Sequence, residues 1–313
     1  MPRILVVAPN WIGDALMAQP LFTRLKRAGA HLDVLAPEWV AAVLRRMPEV
    51  SEVIPGAFRH GALQLAERWR VARELKKRGY DSAIVLPNSW KSALVPFLAG
   101  IPRRAGYIGE LRYGLLNALY RSSKAPMPQH YARLAGDGLG ELERPHLEVT
   151  PLETEETMQR FGISSPYFVL CPGAEYGPAK RWPYFKDLAA RLGATVVILG
   201  SAKDAPAASG VPGLNLVGKT SLDEAVRLIA GARAVVSNDS GLMHIAAALG
   251  RPQVALFGSS SPEHTPPASP ATHVLWLRLE CSPCFERECP LGHFRCMKEL
   301  SVETVLGAVR SLS

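Results

Sequence analysis

Val6-Val7-Ala8-Pro9-Asn10-Trp11-Ile12-Gly13-Asp14 and Val169-Leu170-Cys171-Pro172-Gly173-Ala174-Glu175 open the two halves of the chain alike: an apolar strand runs into a Pro/Gly loop. This internal repeat decides the reading of the fold. Outward from the first copy, residues 3–8, 31–36, 52–54 and 81–87 read as strands. Helices are expected at 14–28, 37–47, 61–79 and 89–99, the third with Leu65, Trp69, Ala72 and Leu75 on one face. Outward from the second copy, strands are expected at 167–171, 195–199, 214–217, 234–237 and 253–257, and helices at 183–192, 222–230, 241–249 and 302–312. Strand–helix alternation of this kind implies an α/β fold with parallel sheets covered by helices on both faces. Between about residues 140 and 151 the pattern lapses into Glu, Pro and Thr, which reads as a linker. It divides a first Rossmann-like domain, 1–150, from a second, 151–313, whose last helix is free to pack back on the first. Ligands of such sheets sit beyond the carboxyl ends of the strands, and two facing sheets would make an interdomain cleft.

The 313 residues, 48% of them hydrophobic and 20% charged, are enough for two cores and exclude a disordered chain. The net charge is +8, and it is unevenly placed: residues 1–150 hold 21 basic and 13 acidic residues, whereas 151–313 hold 15 of each. An anionic partner for the first half is therefore expected, and generic solubility does not explain the asymmetry. Nucleic acid is disfavoured, because no aromatic-interleaved basic sheet or recognition helix accompanies the cations. The apolar start at residues 4–8 is broken too early for a secretory signal, and the run 93–101 is too short to span a bilayer. A cytoplasmic protein, at most resting on a membrane surface, is the expectation.

Three loops carry chemistry. After the strand at 234–237, Asn238-Asp239-Ser240-Gly241 turns into a helix whose free N–H groups suit a phosphate; Ser240 and His244, four apart, share one face. The plainer alternative is that Asp239 or Ser240 only caps the helix and His244 is a core histidine. Cys171-Pro-Gly-Ala-Glu-Tyr-Gly-Pro-Ala-Lys-Arg-Trp182 offers two glycines for close backbone approach and Lys180-Arg181 to neutralise phosphate, or else is a structural loop. In the first half the equivalent loop places Asp14 as a general base, or as an acid at a helix start. Gly213-Leu-Asn-Leu-Val-Gly-Lys-Thr220 matches the P-loop pattern, but its interior reads as the strand that ought to precede it, so it is a chance match. Cys281, Cys284, Cys289 and Cys296 cluster as C-x2-C-x4-C-x6-C beside His293: a structural zinc knuckle, reduced thiols or a labile disulfide, with catalysis there disfavoured.

These residues together resemble the bacterial ADP-heptose–lipopolysaccharide heptosyltransferases, nearest the heptosyltransferase II type. The resemblance spans nearly the whole chain, through Trp11-Ile-Gly-Asp14, Leu86-Pro-Asn-Ser-Trp-Lys-Ser-Ala-Leu-Val-Pro-Phe97, Gly109-Glu-Leu-Arg-Tyr-Gly-Leu-Leu-Asn117, the loop 171–183, Gly200-Ser-Ala-Lys-Asp204 and Asn238-Asp-Ser-Gly-Leu-Met-His244. It implies a GT-B architecture with an acceptor-binding first half and a donor-binding second half. It implies inverting transfer of L-glycero-D-manno-heptose from ADP-heptose to the first heptose of the Kdo–lipid A inner core, with no metal or other cofactor required. By the resemblance, Asp14 is the general base and Lys180 binds the donor diphosphate. Glu175, Tyr176, Thr220, Asp239, Ser240, Gly241 and His244 fall at the donor site. The acidic acceptor gives the basic first half a purpose, with Arg59, Lys91, Arg103, Arg104 and Arg112 as candidate contacts. A monomer, peripheral on the cytoplasmic face of the inner membrane, is the expected working state.

Overall fold

The computed structural model describes residues 1–58, 62–122, 124–136 and 140–312. It divides into two compact units, Met1–Arg144 and Pro145–Ser313, and the boundary falls inside the stretch read as a linker. The first unit runs β1 (Arg3–Val7), α1 (Ile12–Met17), α2 (Gln19–Arg27), β2 (His31–Pro37), α3 (Glu38–Leu44), β3 (Glu52–Gly56), α4 (Leu65–Lys76), β4 (Ser82–Val85), α5 (Trp90–Leu98), β5 (Arg103–Tyr107), β6 (Ala118–Tyr120) and α6 (Met127–Ala132). The second runs α7 (Pro151–Arg160), β7 (Tyr167–Cys171), α8 (Phe185–Arg191), β8 (Thr195–Ile198), β9 (Leu214–Asn215), α9 (Leu222–Ala230), β10 (Ala234–Asn238), α10 (Gly241–Ala248), β11 (Gln253–Phe257), β12 (Thr272–Trp276), α11 (Arg295–Lys298) and α12 (Val302–Ser311).

Each unit holds a six-stranded sheet, ordered β3-β2-β1-β4-β5-β6 in the first and β12-β11-β10-β7-β8-β9 in the second. All ten strand pairings within these sheets are parallel. Numbered within its own unit, each sheet has the order 3-2-1-4-5-6 of a doubly wound fold. The strand order therefore reverses between β1 and β4, and again between β7 and β10. In such sheets a reversal of this kind leaves a crevice beyond the carboxyl ends of the strands, the usual place for a ligand. The strands there are continuous apolar runs because both faces are covered: all five residues of β7 and of β10 are buried.

Four expectations are corrected. The helix read at 14–28 is two helices: Ala18 caps α1, and Pro20, which has no N–H to donate, sits in the first turn of α2. The linker ends in a helix, α7, started by the reciprocal Thr150–Glu153 capping box with Pro151 at its first position. The final helix, read as free to return to the first half, uses its apolar face inside the second unit, where Val302, Val305, Leu306 and Val309 join the core around Phe168, Trp182 and Phe185. On α4 only part of the apolar face is covered: Ala72 and Leu75 are buried, while Leu65 and Trp69 are 55% and 56% exposed. The P-loop pattern is confirmed as a coincidence of spacing, since the edge strand β9 lies inside it rather than before it.

Candidate active site

In the second unit, two loops meet at the β7/β10 reversal. Asn238, fully buried at the end of β10, holds them together: its side chain donates to the Pro172 carbonyl at 2.8 Å and accepts from the Trp182 N–H at 3.0 Å. That clamp brings the loop after β7, with Lys180, to the start of α10. Lys180 Nζ donates to Asp239 Oδ2 at 2.5 Å, and the same oxygen accepts from Ser260 Oγ at 2.5 Å. The two charges lie 14% and 4% exposed, so the ammonium is fixed in position by a carboxylate that water hardly reaches. Tyr176 packs beneath the cation, its ring centroid 4.8 Å from Lys180 Nζ and 5.3 Å from the Arg287 guanidinium carbon, and its hydroxyl donates to the Phe285 carbonyl.

Ser240 occupies the N-cap of α10 without capping it; its hydroxyl lies 3.1 Å from that of Ser237. The N–H groups that begin at Gly241 thus keep their hydrogen-bonding capacity toward an anion. His244, one turn on, is buried. Desolvation pushes its pKa down to about 4, helped by the Lys180 charge and opposed by Asp239. At neutral pH it is an uncharged imidazole and serves as a hydrogen-bonding group rather than a cation. The structure therefore brings Lys180, Asp239, Ser240, Gly241, His244 and Tyr176 into one place. Glu175, next to Tyr176 in the chain, pairs at the surface with Lys203 at 2.7 Å, and Thr220 sits just ahead of Ser221, the cap of α9.

Asp204, not among the expected site residues, follows β8 and lies against the loop after β7. Its Oδ2 closes a capping box with Ser201, while Oδ1 is buried with no hydrogen-bond partner. Gly173 makes room for it, since a Cβ there would stand 2.2 Å from the Asp204 carboxyl carbon. The position of the acid in Gly200-Ser-Ala-Lys-Asp204, directly after β8, was the available signal.

In the first unit, Asp14 lies half-buried in the first turn of α1, just beyond β1. Tyr131 of α6 is hydrogen-bonded to it. Burial first, and then the neighbouring Asp14 charge, hold this phenol well above its ordinary pKa, so it stays a donor. The backbone carrying Tyr131 is itself anchored, because Tyr107 of β5 stacks on His130 with centroids 3.8 Å apart. Past the carboxyl ends of β1, β2 and β4 opens a cavity of about 380 Å³, lined among others by Asn10, Pro37, Asn88, Ser89, Lys91 and Glu110.

Of the cations expected to meet an acidic acceptor, Lys91 alone among the described residues lines this cavity. Arg112 is 1% exposed and donates to the carbonyls of Tyr107 and Pro87 and to Asn88 Oδ1, a structural clamp whose pKa burial lowers. Arg104 donates to the carbonyls of Leu115 and Ile101, each at 2.6 Å, and its guanidinium lies over Phe97. Arg103 opens β5, at the amino end of the sheet, opposite the loops that form the cavity. These three are redirected away from acceptor contact; Arg59 lies outside the described residues.

All five cysteines are free thiols. Among the described residues no group of three or more His, Cys, Asp or Glu side chains is arranged to hold a metal ion. The cysteine-rich segment instead packs on the loop after β7: the Arg287 carbonyl accepts from the Ala179 N–H at 3.1 Å. It comes so close to Gly177 that a Cβ there would be 2.3 Å from that oxygen. None of the described helices is long and apolar enough to cross a membrane.

Two sheets of this order, each with polar loops at its reversal, define an α/β protein of the GT-B type. Residues 68–295 match the model of glycosyltransferase family 9 (heptosyltransferase). The chain is 42% identical to lipopolysaccharide heptosyltransferase 2 of Escherichia coli K12, covering 99% of this chain and 98% of that protein. It is 42% identical to lipooligosaccharide heptosyltransferase 2 of Haemophilus influenzae, covering 88% of each. The solved structure of E. coli ADP-heptose lipopolysaccharide heptosyltransferase II superposes with a TM-score of 0.89 at 42% identity, over 99% of this chain and 98% of that one. The chain belongs to glycosyltransferase family 9, the heptosyltransferases.

Proposed function

We propose that this protein transfers L-glycero-D-manno-heptose from ADP-heptose to the first heptose of the lipopolysaccharide inner core, with inversion and without a metal. One observation carries the reading: the Lys180–Asp239–Ser260 network lies beside an uncapped helix start at the β7/β10 reversal, in a chain of heptosyltransferase 2 likeness. A diphosphate placed there meets one fixed ammonium, free N–H donors and the neutral His244. As the bond from the heptose C1 to the phosphate oxygen breaks, the departing ADP takes the electron pair, and these donors offset its growing charge. The acceptor hydroxyl forms the new bond to C1 and gives its proton to Asp14, while the Tyr131 hydroxyl orients that carboxylate. Lys91 lines the cavity beyond β1 and β4, where this reading places the acidic acceptor. The enzyme works as a monomer on the cytoplasmic face of the inner membrane.

The test is transfer from ADP-heptose to a heptosyl-Kdo acceptor, read by mass spectrometry as the gain of one heptose, with and without EDTA. Gain of one heptose in both conditions is expected. Transfer only to an acceptor ending in Kdo would assign a different heptosyltransferase step, and loss of activity in EDTA would remove the metal-free mechanism.

A further inference from the structure

The exposed side of α4 carries two kinds of cation. Arg70 is paired with Glu67 at 2.6 Å and with Glu74 at 2.9 Å. One step round the helix, Arg73, Lys76 and, just past its end, Lys77 are exposed and have no acidic partner among the described residues. These three edge a groove of about 480 Å³ whose other walls are Trp69, Ala72 and Leu98 of α5. Leu65, 55% exposed, continues the apolar strip one turn back along α4, and Phe97, 44% exposed, neighbours Leu98 in sequence. The spacing of Leu65, Trp69, Ala72 and Lys76 places them within one stripe of the helix. The stripe is what the sequence reads as a buried face, yet no described residue covers its tryptophan end.

We propose that this α4–α5 face docks the enzyme on an anionic lipid bilayer. An indole flanked by leucine and phenylalanine partitions into the boundary between headgroups and acyl chains. Long basic side chains around it lay their stems along the apolar surface and hold their charges at the phosphate level. Charge complementarity selects this occupant: the three cations bordering the apolar groove have no acidic partner among the described residues, while Arg70, farther round the helix from Trp69, is neutralised by Glu67 and Glu74. A nucleic acid would match the cations and leave the apolar strip unused. The proposal rests on the reading of a lipid-linked acceptor, since such a substrate is reached only from the membrane surface.

Sedimentation with vesicles tests it, comparing phosphatidylcholine alone with phosphatidylcholine mixed with phosphatidylglycerol. The wild type is expected to bind the mixed vesicles and not the neutral ones. The triple variant R73A/K76A/K77A should bind them about a hundredfold more weakly, close to fivefold for each charge removed. Trp69→Ser should also weaken binding, whereas removing three exposed cations elsewhere in the same unit, K26A/R121A/K124A, should lower it much less. Each variant is assayed in parallel for heptose transfer to a soluble heptosyl-Kdo oligosaccharide without lipid, where turnover should stay at the wild-type level. Normal vesicle binding by R73A/K76A/K77A would overturn the proposal, as would cation-dependent binding to a DNA duplex in place of vesicles. Failure of the wild type to use the soluble acceptor would instead overturn the assigned reaction, which separates the two.

Discussion

The two units share a strand order and differ in what they place at its reversal. Beyond β1 and β4 stand a half-buried carboxylate held by a phenol and a cavity reached by one lysine. Beyond β7 and β10 stand a lysine fixed by a buried carboxylate and a helix start with unfilled N–H groups. Under the proposed reaction, one topology would supply a proton acceptor in the first unit and a countercharge for a leaving diphosphate in the second. The sheet sets where the chemistry happens; a few loop residues set its sign.

Asp14→Asn breaks the comparison most severely. Transfer should fall by about a thousandfold, within the range of a lost general base, while ADP affinity measured by calorimetry stays at the wild-type value. Near-normal turnover would take Asp14 out of the reaction. The second-unit site is expected to register acid instead. Because burial depresses His244 from 6.5 to about 4, the unfolded chain binds a proton over that interval and the folded chain does not. Stability is therefore complete above about pH 6.5 and is lost as pH falls toward 4, by about 3 kcal/mol. His244→Asn should flatten that limb in denaturant melts taken across the window, and an unchanged slope would show that His244 does not set it.

Lys180→Ala should weaken ADP binding by roughly 30-fold, the cost of truncating one partner of a buried charge pair. Equal affinity in calorimetry would place the diphosphate elsewhere. The smallest effect belongs to Tyr131→Phe, which removes a single hydrogen bond to Asp14. A loss of about fivefold in kcat with unchanged ADP affinity is expected. A change in ADP affinity with kcat untouched would mean that Tyr131 does not act through the carboxylate.

How far the sequence alone reaches follows the same division. β1, β7, β10 and β11 are short apolar runs closed by Pro, Gly or Asn, and they read directly as buried strands. The loops carrying Asp14, Lys180 and Ser240 follow from them, because a strand that ends in such a loop points at the ligand edge of the sheet. β5 and β6 carry no such signal: Arg103 and Arg104 give β5 the look of a basic cluster, and three residues of β6 carry no periodicity. The destination of a cation is likewise invisible in one dimension. Arg112 serves carbonyls as far as 25 residues back, and Lys180 meets Asp239 across 59 residues. Such pairings depend on how the loops pack, which the spacing of apolar residues does not encode.

Under the proposed reaction, Asn238 bears on the thermodynamics of donor capture. Because its amide ties the Pro172 carbonyl to the Trp182 N–H, both ends of the diphosphate loop are set by covalent and hydrogen-bonded geometry already present in the free protein. A nucleotide bound there as proposed would meet a socket cast in advance, so association would freeze few backbone torsions and its entropic cost would fall mainly on the sugar.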